Sequence, residues 1–239
     1  MHYTKKILSV GLLCFMLSCN EDLKTTFLDT KITTANNKLV EINVPKAIEN
    51  NQITTQINNE INNTVIAALQ TGEEDTATSS TIEESITTFN NEYTAFNKDF
   101  PDVSQPWEAQ IDGEVMFQSP KIISIAITSY VNTGGAHGIT HISFLNFESS
   151  TGKRIENTNL IKNKKAFENV AQTYFKDAIT EEDVIFEPNT FKLPANIGFN
   201  DEGVILLYNQ YEIAPYSTGI IEFTIPIEKV TKYLAFDGS

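Results

Sequence analysis

"KIISIAITSYVNTGGAHGITHISFLNFES", residues 121–149, is the stretch on which the fold turns. Its first third alternates Ile123, Ile125 and Ile127 with Ser124, Ala126 and Thr128, the period of a half-buried strand. Its last third, "ITHISFLNFES", is apolar on both faces, as a central strand is. Between them Gly134 and Gly135 offer the positive φ that a tight hairpin turn needs. The same ten residues, Asn132 to His141, also hold His137, Gly138 and His141. They read either as a hairpin shaped by geometry or as a glycine loop presenting a histidine.

The flanking sequence supplies helices on one side and more strands on the other. "KLVEINVP" alternates as a short strand, and Pro45 is placed to open a helix whose stripe is Ile48, Ile53, Ile57, Ile61, Val65 and Leu69. "TGEEDTATSS" reads as an exposed loop. Ser80 and Glu83 have capping-box spacing ahead of a second helix lined by Ile82, Ile86, Phe89, Tyr93 and Phe96 and ended by Pro101. After a turn at Ser150–Lys153, "NKKAFENVAQTYFKDAI" is predicted helical. "GVILLYNQYEIAPYSTGIIEFTIP" returns to strands, with Pro215 marking an edge or bulge and Pro226 able to open a last short helix. Helices and strands in separate blocks predict an α+β fold, a mainly antiparallel sheet with packed helices.

The N-terminus reads as a targeting segment. Lys5 and Lys6 precede an apolar run from Ile7 to Leu17 that is too short to span a bilayer. The run ends in Met16-Leu17-Ser18-Cys19, which resembles a lipobox and makes Cys19 the expected lipid attachment site. Residues 1–18 are then a lipoprotein signal peptide and 19–37 a flexible, threonine-rich tether. Glu21 and Asp22 resemble a surface-export signal and fit a solvated linker equally well. The expected location is the bacterial cell envelope, lipid-anchored at the outer membrane, with the lipid as the only membrane contact.

Lipidation also removes the thiols. Cys14 leaves with the signal and Cys19 is acylated, so disulfides, cysteine-bound metals and a cysteine nucleophile drop out. The signal carries two of the 17 basic residues and no acid, leaving 15 against 31 acids, a formal charge of −16. Such a chain, taken as a whole, repels nucleic acid and anionic lipid headgroups. Its acidity serves solubility, and it would also speed encounter with a cationic partner.

No catalytic motif stands out. His137 and His141 on a strand would lie about 13 Å apart, too far to share a metal. No G-x-S-x-G elbow and no phosphate-binding lysine loop occurs. Two carboxylates meeting from distant positions remain open. The sequence assigns no catalytic residue, no metal and no cofactor.

Three blocks together carry a resemblance: "VEINVPKAIENNQITTQINNEIN", "YVNTGGAHGITHISFLNFESSTGKRI" with the following "NLI", and "LLYNQYEIAPYSTGIIEFTIPIEKVTKYL". They resemble the RsiV-like and PdaC-like extracytoplasmic module, with residues 38–150 as the PdaC-like part and 151–239 as the RsiV-like part. That module is a non-catalytic sensing or binding domain. It occurs in an anti-sigma factor that binds lysozyme, beside a peptidoglycan deacetylase, and alone in lipoproteins. The sequence shows neither a sigma-binding segment nor a transmembrane helix, so anti-sigma signalling is not expected.

By position, Gly134, Gly135, His137 and Gly138 match the module's glycine-histidine turn. Ala214, Pro215, Tyr216 and Gly219 match its proline-tyrosine block. A tyrosine beside a rigid proline suits partner contact, and it suits packing on a sheet as well. The expected function is an envelope binding lipoprotein whose partner is a cationic, lysozyme-like protein or a peptidoglycan-derived glycan. The alternatives are a glycan hydrolase or deacetylase using His137, and a structural envelope component.

Overall fold

The computed structural model describes residues 24–71, 79–102, 105–180 and 184–236. The signal segment, Cys19, Glu21, Asp22 and the acidic clusters at 73–75 and 181–183 lie outside the described residues.

A five-stranded sheet comes first. It is formed by β1 (Phe27–Ile32), β2 (Val40–Ala47), β3 (Glu108–Gln118), β4 (Ile122–Asn132) and β5 (Ile139–Glu148), in that spatial order. All its pairings are antiparallel except β2 with β3, which is parallel. The parallel pair needs a crossover, supplied by α1 (Gln52–Ala68) and α2 (Ile82–Asp99). A three-stranded antiparallel sheet follows, β6 (Asn196–Phe199), β7 (Gly203–Tyr208) and β8 (Ile221–Pro226). Short α3 (Asn157–Leu160), long α4 (Lys164–Ala178) and short α5 (Ile227–Val230) accompany it. The expected α+β class holds, with mainly antiparallel pairing and one parallel pair in the first sheet.

Side-chain alternation sorts these elements into four layers. Ile123, Ile125 and Ile127 of β4 point into a core with Ile57, Ile61 and Val65 of α1 and Ile86 and Phe89 of α2. The opposite face of β4 and β5 meets the second sheet, where Phe144 clusters with Ile205 and Leu207. The other face of β7, Val204, Leu206 and Tyr208, packs with Phe167, Ala171 and Phe175 of α4. Thus β4 is buried on both sides, and Ser124 is fully enclosed because its hydroxyl accepts from the Phe199 amide at 3.1 Å.

Four local expectations are corrected. The segment read as tether contains β1, which pairs with β2 over its whole length from Phe27↔Ala47 to Ile32↔Ile42. Its pattern is weak because an edge strand with one solvated face keeps polar residues such as Asp29 and Lys31. Pro45 does not open a helix. It sits inside β2, past the four residues Val40–Asn43 that pair with β3, so no ladder bond to β3 is lost. The helix begins at Gln52, capped by Asn51, whose side chain accepts from Thr54 N at 2.9 Å. The second helix is capped by Thr81, one residue later than expected, while the Glu84 carboxylate accepts from Ser80 N at 2.7 Å. Pro215 lies in neither an edge strand nor a bulge but in the loop between β7 and β8, just before a short 3-10 turn at Tyr216–Thr218.

Candidate functional site

The two blocks singled out in sequence meet at one end of the molecule. The β4–β5 hairpin turns through residues 133–138. Asn132, buried at the end of β4, accepts from Gly134 N at 3.0 Å and shapes the first bend. Gly134 has φ +86° and lies against Trp107. Gly138 is required for a different reason, since a β-carbon there would stand 2.4 Å from the Tyr130 ring. Gly135 needs neither reason: its φ is not positive, and a β-carbon there would meet only His137 O, at an unstrained 3.8 Å. Only one of the two adjacent glycines therefore supplies left-handed backbone.

His137 is exposed on this turn, and its ring stacks on that of Tyr216, centroids 3.6 Å apart and planes 18° apart. The Tyr216 hydroxyl donates to Gly138 O at 3.1 Å, and His137 Nδ1 lies 3.2 Å from the same oxygen. With Nδ1–H donating, the carbonyl uses both lone pairs and Nε2 is left as the acceptor nitrogen. Among the described residues the hydrogen-bond partner of His137 is this backbone carbonyl rather than a carboxylate. His141 is on β5, apart from this pair. Crowding pulls its pKa below the ordinary histidine value, partly opposed by the nearby Glu212 charge. No group of three metal-ligating side chains occurs among the described residues.

Tyr211 completes the surface and was not singled out in sequence. Its ring centroid is 5.9 Å from that of Tyr216, and it is half exposed. It is the non-glycine residue with positive φ among those described, at +67°. Such backbone costs on the order of 1 kcal/mol and persists only where neighbours enforce it. Here they are identifiable. Asn209 grips β5 with both halves of its amide, accepting from Ile142 N at 2.8 Å and donating to Ile142 O at 2.9 Å. Gln210 accepts from Thr140 N at 3.1 Å. The Glu212 carboxylate accepts from Asn209 N at 2.9 Å and from Ala195 N at 2.7 Å. Tyr211, held between these clamps, projects beside Tyr216. The only sequence signal was the density of tyrosine in "YNQYEIAPY", because φ is not readable from composition.

The assembled face is a His137–Tyr216–Tyr211 aromatic strip with Pro215 at its margin. Pro215 is fixed at φ −66°, and its carbonyl accepts from Thr218 N at 3.1 Å, which sets the turn that presents Tyr216. Ring faces and a hydroxyl in rigid positions suit the recognition of sugars or protein side chains at low entropic cost.

Comparison with known proteins matches this architecture in two consecutive pieces. Residues 32–140 match the family model described as "Deacetylase PdaC", and residues 150–228 match the model for a protein family of unknown function, DUF3298. The two matched stretches, one after the other, are the PdaC-like and DUF3298-like parts of the paired module that the sequence resembles. Two solved structures share the fold. A DUF3298 family protein from Pseudomonas aeruginosa PAO1 is 19% identical, with 90% of this chain and 97% of that one covered, at a TM-score of 0.60. A DUF3298 family member from Bacteroides fragilis NCTC 9343 is 17% identical, with 88% and 92% covered, at a TM-score of 0.61. No curated protein matches the chain significantly.

Proposed function

We propose that this protein is a lipid-anchored binding domain of the bacterial cell envelope, and that its aromatic strip recognises a cationic, lysozyme-like wall hydrolase. One observation carries the reading. Two segments joined through Tyr216 Oη and Gly138 O, 78 residues apart, build a surface on which the His137 ring stacks on Tyr216 and Tyr211 stands beside them. Preorganised aromatics are what interfaces use as anchors, and an acidic chain accelerates encounter with a basic protein. Lipidation at Cys19 would hold the domain at the membrane where such hydrolases act.

The test is a calorimetric titration of soluble protein spanning residues 20–239 with a cationic lysozyme at low and physiological salt. Saturable binding that survives physiological salt, and weakens about tenfold or more in Tyr211→Ala, is the expected result. Tyr211 is the informative position because its side chain is half exposed, whereas Tyr216→Ala also removes a hydrogen bond within the turn. Binding that disappears with salt, or is unchanged in the variant, overturns the reading. The deacetylase description of one matched family supplies a second assay. Release of acetate from peptidoglycan fragments, lost in His137→Ala, would replace binding with catalysis.

A further inference from the structure

A second surface is built independently of the aromatic strip. A groove of about 790 Å³ opens where the turn after β5 meets the end of the described chain. Lys121, Lys153, Arg154 and Lys162 line it, and Glu148 is its carboxylate. That is a concentration of positive charge on a chain whose formal charge is −14. Glu148 is already engaged, accepting from the Thr151 hydroxyl at 2.6 Å. Neither Lys153 nor Lys162 forms an ion pair among the described residues.

Arg154 is the fixed element of this groove. Its Nη2 donates to Phe144 O at 2.8 Å, and its guanidinium carbon lies 6.0 Å from the centre of the Phe147 ring. Its Nε is buried without a partner. Desolvation pulls its pKa down, with Glu156 and Glu60 opposing, so the positive charge is held at a cost that a bound anion would offset. The backbone around it is set as well. Gly152, at φ +72°, has no room for a side chain, since a β-carbon there would stand 2.4 Å from Ile53 O, and Lys162 N donates to Tyr233 O at 2.9 Å. Two exposed ammonium groups beside one hydrogen-bonded guanidinium match an anion that offers several oxygens and more than one charge.

We propose that the Lys153–Arg154–Lys162 groove is a binding site for phosphate-bearing ligands. Two sources share this chemistry, a soluble phosphorylated molecule and a phospholipid headgroup. The headgroup source rests on the lipid-anchor reading. The Gln118 side chain donates to Thr25 O at 3.0 Å, which places the start of the described chain beside the β3–β4 turn that carries Lys121. The segment from Cys19 to Lys24 can span at most about 18 Å, so an acylated Cys19 would keep this end of the domain near the headgroups.

The experiment titrates protein spanning residues 20–239 with tripolyphosphate by calorimetry at physiological salt. In parallel it measures co-sedimentation with phosphatidylcholine vesicles with and without phosphatidylglycerol. The variant is Lys153→Glu/Lys162→Glu, and Lys46→Glu/Lys229→Glu makes the same charge change at exposed positions elsewhere. Saturable tripolyphosphate binding, weakened about tenfold in the groove variant and less than about twofold in the control, establishes the site for soluble phosphates. The same pattern on phosphatidylglycerol vesicles alone establishes it for headgroups. Absence of saturable binding in both arms, or equal weakening in both variants, overturns the proposal. Tyr211→Ala should leave these titrations unchanged, so the groove and the aromatic strip fail or stand separately.

Discussion

The two outer edges of the five-stranded sheet are finished in opposite ways. Edge β1 runs along solvent with a polar, half-exposed pattern that includes Asp29 and Lys31, the usual protection of a free edge. Edge β5 is apolar and has no further strand beside it in its sheet. Its outward groups are instead met by side chains: Thr140 N by Gln210, Ile142 N and O by Asn209, Phe144 N by Asn196 and Phe144 O by Arg154. Gly138 O, on the same line, takes Tyr216. Amide side chains thus do the work of a neighbouring strand, and those residues belong to the second half of the chain. Asn58 does likewise for the end of β2, accepting from Ala47 N and donating to Ala47 O, both at 2.9 Å. The β5 edge is therefore where the two family-matched halves become one unit, and the aromatic strip grows from that seam.

Cutting the seam should have the largest effect. Asn209→Ala leaves the Ile142 amide and carbonyl without their partner in a largely enclosed place, at a cost of about 2–4 kcal/mol. Lys31→Ala on the other edge should change stability by less than about 0.5 kcal/mol. Urea denaturation read by both tryptophan fluorescence and far-ultraviolet circular dichroism makes the comparison. Similar costs at the two edges would mean that β5 does not depend on the amide ladder.

Next in size is the glycine turn. Gly138→Ala drives a methyl group into the Tyr130 ring and should cost about 1–3 kcal/mol. Gly135→Ala, with room for the methyl group and no positive φ, should stay within about 0.5 kcal/mol. Thermal midpoints of the two variants separate them, and a large loss at Gly135 would show that the turn differs from the one described.

The smallest expected effect is the pH dependence of the seam. Burial lowers the His141 pKa in the folded state, so the unfolded chain binds the proton first as pH falls below about 6.5. The contribution of His141 is fully present above that value and is lost as pH falls through the folded pKa. Because the residue is largely exposed by area, the loss should be slight. The thermal midpoint of the native protein should fall more between pH 7.5 and 5 than that of His141→Gln. Equal falls would assign the pH response to other groups.

How far the sequence was readable follows from which side chains had to be covered. The stripes of α1 and α2 and the alternation in β4 were legible because apolar residues recurring at helix or strand period mark a face that must be buried. Edge β1 was not, because an edge with one wet face has no apolar period to read. Pro45 signalled a helix start, yet β2 holds it where no ladder bond to β3 is required. At the site, the glycine-histidine turn and the proline-tyrosine block were each visible as local peculiarities. Their contact, the positive φ of Tyr211 and the roles of Asn196, Asn209 and Gln210 were not visible, since a polar residue in a loop carries no mark of the distant backbone it will bond.

By itself, then, the sequence determined the α+β class, the long helices, the central hairpin and the identity of its turn residues, all consequences of short-range sterics and of apolar periodicity. Only the tertiary structure decided that β4 is enclosed on both faces, that β5 is finished by amides instead of a strand, and that His137 and Tyr216 form one surface. Those outcomes depend on which distant segments share the burial of the same polar backbone, a requirement that no local stretch can satisfy alone.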